Sequence, residues 1–370
     1  MSSNSKIHWW QPEVGDKEID YLKKVIKINY TNEGFYVEKL ENKIKKKFGP
    51  KFAVSTTSGT SALFLALKAF GIQKGDEVIV PNITFVATAN AVKLTGAKVV
   101  LVDVDRNNLS IDMKSLKKSV TKKTKAIIPV HISGRSGNLI SVLKFAKQKN
   151  IKIIEDAAEA MFSKYKNKYL GTYGDCGCFS FSPNKIINSG QGGMIITNNY
   201  KVFNNLKKLK DQGRLNRGSG GDDRHDFIGY NFKYTNLQAA TALAQLERLN
   251  KRKKTLTENY KFYKKNLFQN ENFYLIDQDI RNGNFPLWVD AYCKDRDKLV
   301  NLLKKNNIGT RNYWFPLNEH KPYKKDIKFF KNTKLLINKL FWLPSTFNMK
   351  KSDLNKISKI VNEFNKNNYE

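Results

Sequence analysis

Between residues 52 and 154 the sequence alternates short apolar runs with stretches of helical period, and few architectures accept that pattern. The runs begin at Phe52, Glu77, Lys98, Ala126 and Ile151. They are short, rich in β-branched residues and bounded by turn residues, so each reads as a strand. Helix-period stretches lie between them at 61–70, 87–95 and 140–148. Strand and helix in alternation build a mostly parallel sheet with helices on both faces, an α/β fold. Ligands in such sheets bind beyond the carboxyl ends of the strands. The residues just after each run are where chemistry is to be sought.

The flanks differ. Residues 16–48 have helical period, with Val25, Ile26, Val37, Leu40 and Ile44 as the apolar positions. From about residue 235 the pattern changes. Residues 236–250 read as a strong helix whose alanines permit close packing, and 251–265 continue it with charge. A strand is expected at 285–289, and helices at 297–306 and 351–365. A chain of 370 residues exceeds one small core. It divides here into a large domain, 1–240, and a smaller α/β domain, 241–370.

Composition excludes several classes. No apolar run approaches the roughly 20 residues of a membrane span. The polar start at residues 1–6 lacks the apolar centre of a signal peptide, so a cytoplasmic protein is expected. Three cysteines, Cys176, Cys178 and Cys293, are not a disulfide framework. Cys176 and Cys178 have no second Cys or His cluster beside them, so no metal is expected. The formal charge of +33 points by itself toward acidic partners. The excess lysine is scattered through every segment, which disfavours specific nucleic-acid binding and suits an anionic substrate.

Three motifs follow the predicted strands. Ser55 to Ser61 is a small, hydroxyl-rich turn before an apolar helix. Free backbone N–H groups and the helix dipole suit a phosphate there, and a simple N-cap explains the turn equally well. Glu155 and Asp156 end the fifth run. A partly buried carboxylate needs a cationic partner, although Asp156 also reads as a cap for the next helix. Then comes Phe179-Ser180-Phe181-Ser182-Pro183-Asn184-Lys185, followed by Ser189-Gly190-Gln191-Gly192-Gly193-Met194. A lysine on a turn after an apolar strand, among hydroxyls and glycines, is poorly explained as a solvated charge. Desolvation favours the neutral, nucleophilic amine that forms Schiff bases.

Taken in order, the Ser58 turn, the Pro81–Thr88 segment, Glu155 to Ala160, Phe179 to Lys185 and Gln191 to Met194 resemble the DegT/DnrJ/StrS sugar aminotransferases. The resemblance runs from about Trp10 to Pro344. It implies the fold type I of pyridoxal-phosphate (PLP) transferases, like aspartate aminotransferase, with pyridoxamine phosphate as the alternate cofactor form. It implies that Lys185 holds the cofactor as a Schiff base, Asp156 pairs with the pyridine nitrogen, and Phe85 stacks on the ring. Ser58, Gly59, Thr60 and Ser180 would hold the phosphate, and Glu159 would lie near the phenolic oxygen. Asn231, with Lys233, would reach across from a second subunit, which implies a homodimer with shared sites. Candidate substrate contacts are His131, Arg311, Tyr313, Trp314 and His320. The implied reaction aminates a nucleotide-linked 4-keto-6-deoxyhexose, with glutamate as donor. A 3-keto sugar aminotransferase remains open. A PLP-dependent sugar dehydratase would carry histidine in place of Lys185, and a non-catalytic basic binding protein would need neither Lys185 nor Asp156. Two departures stand out. Gln191 precedes Gly192-Gly193 where relatives often have Glu, and His320 is displaced by two positions from the usual Pro-Leu-His.

Overall fold

A computed structural model of the chain describes residues 6–214, 224–225 and 227–369. Residues 1–5 of the polar start and Asp226 lie outside the described residues. Two helices, α1 (Asp16–Lys27) and α2 (Phe35–Phe48), open the fold. One helix was expected over 16–48. Asn29 breaks it by taking a left-handed φ of +52°, and Gly34 stands at the entry to α2. Ile26, expected on the buried face, is 60% exposed, while Val25, Val37, Leu40 and Ile44 are buried.

The main sheet and its helices follow: β1 (Phe52–Thr56), α3 (Gly59–Ala69), β2 (Glu77–Pro81), α4 (Ala87–Leu94), β3 (Lys98–Val102), α5 (Met113–Ser119), β4 (Thr124–Ile127), α6 (Leu139–Lys149) and β5 (Lys152–Asp156). A small hairpin, β6 (Lys164–Tyr165) and β7 (Lys168–Tyr169), leads to β8 (Cys176–Ser180), β9 (Gly193–Thr197) and α7 (Tyr200–Lys210). The seven-stranded order is β1-β9-β8-β5-β4-β2-β3. β9 runs antiparallel to both neighbours, and the other pairings are parallel. Cys176 and Cys178 are buried in β8, in register with Ile154 and Asp156. The core strands are buried on both faces because helices cover both, so their runs are nearly continuous Val, Ile and Leu.

Then α8 (Asn236–Glu247) packs on α1 and α2, and α9 (Leu249–Asn266) leads away from it. Thr235 and Gln238 cap α8 reciprocally. A second, antiparallel sheet has the order β10 (Phe273–Leu275), β11 (Val289–Cys293), β13 (Leu340–Leu343), β12 (Arg311–Asn312). The helices α10 (Arg296–Lys305) and α12 (Lys351–Tyr369) pack on it, and α11 (Lys331–Leu336) precedes β13. Phe341 and Leu343 of β13 join the cluster under these helices, whereas Leu340 and Trp342 pack into clusters shared with the main sheet's surroundings. The strand expected at 285–289 begins only at Val289. Before that, Phe285 N–H donates to Ser163 Oγ at 2.8 Å and Leu287 N–H to the Ser133 carbonyl at 3.1 Å. Those backbone groups therefore take no part in a sheet ladder. No helix among the described residues is long and apolar enough to cross a membrane.

Candidate active site

The carboxyl ends of β1, β2, β5 and β8 contribute to one cavity of about 290 Å³. At its first corner Ser58 caps α3. Ser58 Oγ accepts from Ser61 N–H at 3.0 Å, and Ser58 N–H donates to Ser61 Oγ at 2.9 Å. That reciprocal cap lets an entirely uncharged first turn begin abruptly. It leaves the amides of Gly59 and Thr60 as first-turn donors at the positive end of the helix. A Cβ on Gly59 would stand 2.9 Å from Ser180 Cβ, and one on Gly193 would stand 2.2 Å from the Ser58 carbonyl oxygen. Glycine at both positions lets the turn lie against β8 and β9. The turn is thus an N-cap, and its residues Ser58, Gly59 and Thr60 also line the cavity.

Strand β5 ends in two acids, and the pleat sends them opposite ways. Glu155 is fully buried. Its carboxylate accepts from the amides of Gly171, Tyr173 and Gly174 at 2.7–2.8 Å, and His131 Nε2 lies 2.8 Å away. Glu155 therefore fastens the loop before β8. His131 is 1% exposed, and its Nδ1 stands 3.2 Å from the Arg135 carbonyl. Both ring nitrogens are occupied, so the expected substrate contact from His131 does not fit. The sequence showed a histidine after a strand but not that it turns inward.

Asp156 instead lines the cavity. Thr88 Oγ donates to Asp156 Oδ2 at 2.7 Å and Ala158 N–H to Oδ1 at 3.2 Å. Burial pushes this carboxyl above the usual range, against the pull of those two donors and of Lys185 and His131. An acid placed this way gains most from a cationic partner arriving in the cavity. Thr88, on the first turn of α4, carries no motif that singles it out.

Lys185 sits on the turn after β8, its backbone N–H donating to the Ser182 carbonyl at 3.0 Å. It is 9% exposed, with Nζ 3.3 Å from Glu159 Oε1 and 4.8 Å from the centre of the Trp288 ring. Burial raises the Glu159 carboxyl, and Lys185 and the Ser133 amide at 3.0 Å pull it back. A carboxylate on one side and an indole face on the other hold the amine in place.

Phe85, Trp314, Trp342 and Arg311 complete the rim. Phe85 is 50% exposed and packs against Trp314 with ring centres 6.2 Å apart. The Arg311 guanidinium lies over Trp9 and Trp342 at 5.1 and 5.8 Å. Trp314, a residue the sequence offered as a substrate contact, does line the cavity; Trp288 and Trp342 escaped the reading of the sequence, because nothing local marks an aromatic residue as a cavity wall. Tyr313 does not line this cavity. It stacks on Trp342 at 4.2 Å and gives its hydroxyl hydrogen to Asp290. His320 also lies outside the lining, with Nε2 3.3 Å from the Phe315 carbonyl. Its displacement in the sequence corresponds to a 3₁₀ turn, Leu317–Glu319, that carries it away. Asn231 is exposed and bridges to Asp211, and Lys233 pairs with Asp211 at 2.5 Å, so neither lines the cavity of its own chain.

The arrangement has anion donors at one end, an acid seeking a cation at another, an amine between carboxylate and indole, and a half-exposed aromatic ring at the rim. That set fits a flat, phosphorylated, cationic aldehyde such as PLP. A GDP-perosamine synthase from Escherichia coli is 34% identical over 367 residues, covering 96% of this chain and 97% of its own. One from Caulobacter vibrioides is 34% identical over 334 residues, covering 87% and 88%. A Streptococcus pneumoniae protein solved in its PLP-form shares the fold with a TM-score of 0.89 at 21% identity, covering 98% and 99%. The DegT/DnrJ/EryC1/StrS aminotransferase family matches residues 12–362, and this chain belongs to that family.

Proposed function

We propose that this aminotransferase uses PLP to place an amino group on the ketone of a nucleotide-linked 4-keto-6-deoxyhexose, with glutamate as donor. The observation that carries the cofactor reading is Lys185, buried in a cavity with Nζ 3.3 Å from Glu159 and with Asp156 on the same lining. The relatives named GDP-perosamine synthase support the sugar class.

PLP, when bound, supplies an electron sink for charge developing beside the transferred nitrogen. The chain's residues do the rest. Gly59 and Thr60 amides, with the Ser58 and Ser180 hydroxyls, hold the phosphate. Asp156, kept in place by Thr88, would hold the positive charge of the ring nitrogen, Phe85 would cover the ring, and Lys185 Nζ would carry the cofactor. Once free, it takes and returns the proton at the substrate carbon as general acid and base. Glu159 and Trp288 keep that amine aimed. Arg311, at the rim, is placed for an anionic diphosphate. The chain acts in the cytoplasm as a homodimer, with Asn231 and Lys233 entering the partner's site. Exposed Tyr30, Phe35, Phe227 and Ile228, on segments tied together through Glu33–Lys210 and Tyr30–Asn236, support such a face.

The test is direct. Purified protein should be yellow, and borohydride should bleach it by fixing the cofactor to Lys185. With glutamate it should aminate a 4-keto-6-deoxy sugar on GDP, UDP or dTDP. Lys185→Ala should lose both labelling and turnover. Substantial turnover in that variant, or a colourless protein that takes up no added cofactor, overturns the reading.

A further inference from the structure

Ser133 has a left-handed φ of +50°, which a residue with a side chain holds only where its surroundings over-determine it. Here they do. Ser133 is fully buried, and its N–H donates to Glu159 Oε2 at 3.0 Å. Its carbonyl accepts from Gln278 Nε2 at 3.0 Å and from Leu287 N–H at 3.1 Å. Its hydroxyl donates to Asp290 Oδ1 at 2.9 Å. Every anchor except Glu159 comes from the segment that builds the second sheet.

Asp290, on β11, is 1% exposed and is the hub of that arrangement. Arg135 Nη1 donates to its Oδ2 at 2.5 Å, Trp342 Nε1 donates to its Oδ1 at 2.7 Å, and Tyr313 donates its hydroxyl hydrogen. Trp342 is also a wall of the cavity. One carboxylate thus ties the aromatic wall, contributed by the second sheet, to the amide that orients Glu159, contributed by the main domain.

We propose that Asp290 is a positioning residue that acts through Ser133 to set the contact between Glu159 and Lys185. It touches neither cofactor nor substrate. Resting on the PLP reading above, it couples the placement of the second sheet to the aim of the reactive amine. The groups facing Lys185 are Glu159 and Asp156, with Arg311 at the rim. Asp290, Arg135, Tyr313 and His131 stand in the layer behind.

Two variants of the full chain test the relay. Ser133→Ala deletes only the hydroxyl. Asp290→Asn removes the acceptor charge and leaves Arg135 unpaired, which endangers the fold, so Ser133→Ala is decisive. Amide exchange over residues 131–136 should quicken about tenfold in the cofactor-free variant. With PLP added, the pH midpoint of the bound cofactor's colour should fall by about half a unit or more, because an anionic neighbour of Lys185 has lost its anchor. Faster exchange with an unmoved midpoint would mean a merely structural role and would overturn the proposal. A midpoint that moves in Asp290→Asn and not in Ser133→Ala also overturns it, since the bare field of Asp290 would then suffice. The two readings fail differently: no uptake of PLP by the wild-type protein sinks the proposed function and the relay with it, whereas uptake with an unmoved midpoint sinks the relay alone.

Discussion

Replacing Asp156 with Asn separates cofactor binding from folding. The carboxyl is 6% exposed, and in the cofactor-free chain two neutral donors, Thr88 and the Ala158 amide, bond to it. Asn keeps the shape and one acceptor. It loses the bond from Ala158, which costs about 1 kcal/mol. It also removes a buried charge that burial disfavours, which offsets a similar amount. The stability of the cofactor-free protein at neutral pH should therefore change by no more than about 1 kcal/mol. Cofactor affinity should behave otherwise. Losing one partner of a desolvated ion pair costs about 2–4 kcal/mol, or about 30- to 700-fold in Kd. The sign of the pH effect follows from the raised carboxyl. A carboxyl raised on folding lends stability below the ordinary carboxylate range, and that stability is lost as pH rises through the raised value. The cofactor-free wild type should lose stability across that window, and Asp156→Asn should lose less, with Glu159 supplying the remaining slope. Added PLP should raise the wild-type Tm more at neutral pH than below the window. The measurements are absorbance titration and thermal melts with and without PLP. An Asp156→Asn protein that binds PLP within about threefold of wild type would refute the pairing, since a loss of about 2 kcal/mol would then be missing.

Two further outcomes are expected. Gly59→Ala forces a Cβ to within 2.9 Å of Ser180 Cβ; it should cost about 1–3 kcal/mol of stability and weaken PLP binding about tenfold, and an unchanged titration would show that the turn does not hold the phosphate. His131→Ala leaves Glu155 with three amide donors and a void, so a stability loss of about 2–4 kcal/mol in chemical unfolding is expected with the KM for sugar unmoved; a KM raised tenfold in folded protein would restore His131 to the substrate.

What was legible in the sequence was local. The bounds of β2 and β3 match the apolar runs, and β2, buried at every position, shows why: a strand covered on both faces writes its burial as an unbroken run. Lys185 and Asp156 could be singled out because the carboxyl ends of strands are where an α/β sheet exposes its loops, and both residues follow strands. Local signals also misled. Residues 16–48 kept a helical period through a break that Asn29 and Gly34 impose, and 285–288 looked like a strand although the Phe285 and Leu287 amides bond to Ser163 and Ser133 instead of a ladder partner. Which of Glu155 and Asp156 faces the cavity depends on the pleat of β5, and the motif alone does not phase it. All five tryptophans, Trp9, Trp10, Trp288, Trp314 and Trp342, form one connected cluster, and three of them wall the cavity. Asp290, on the second sheet, meets Ser133 and Arg135 from the segment after β4. Periodicity records which face of an element is apolar, whereas the partner of that face is chosen by packing between segments distant in the chain. The sequence by itself therefore determined the alternation of strands and helices and the turn that carries Lys185, and only the tertiary structure decided which acid of β5 faces the cavity, the aromatic wall and the network behind it.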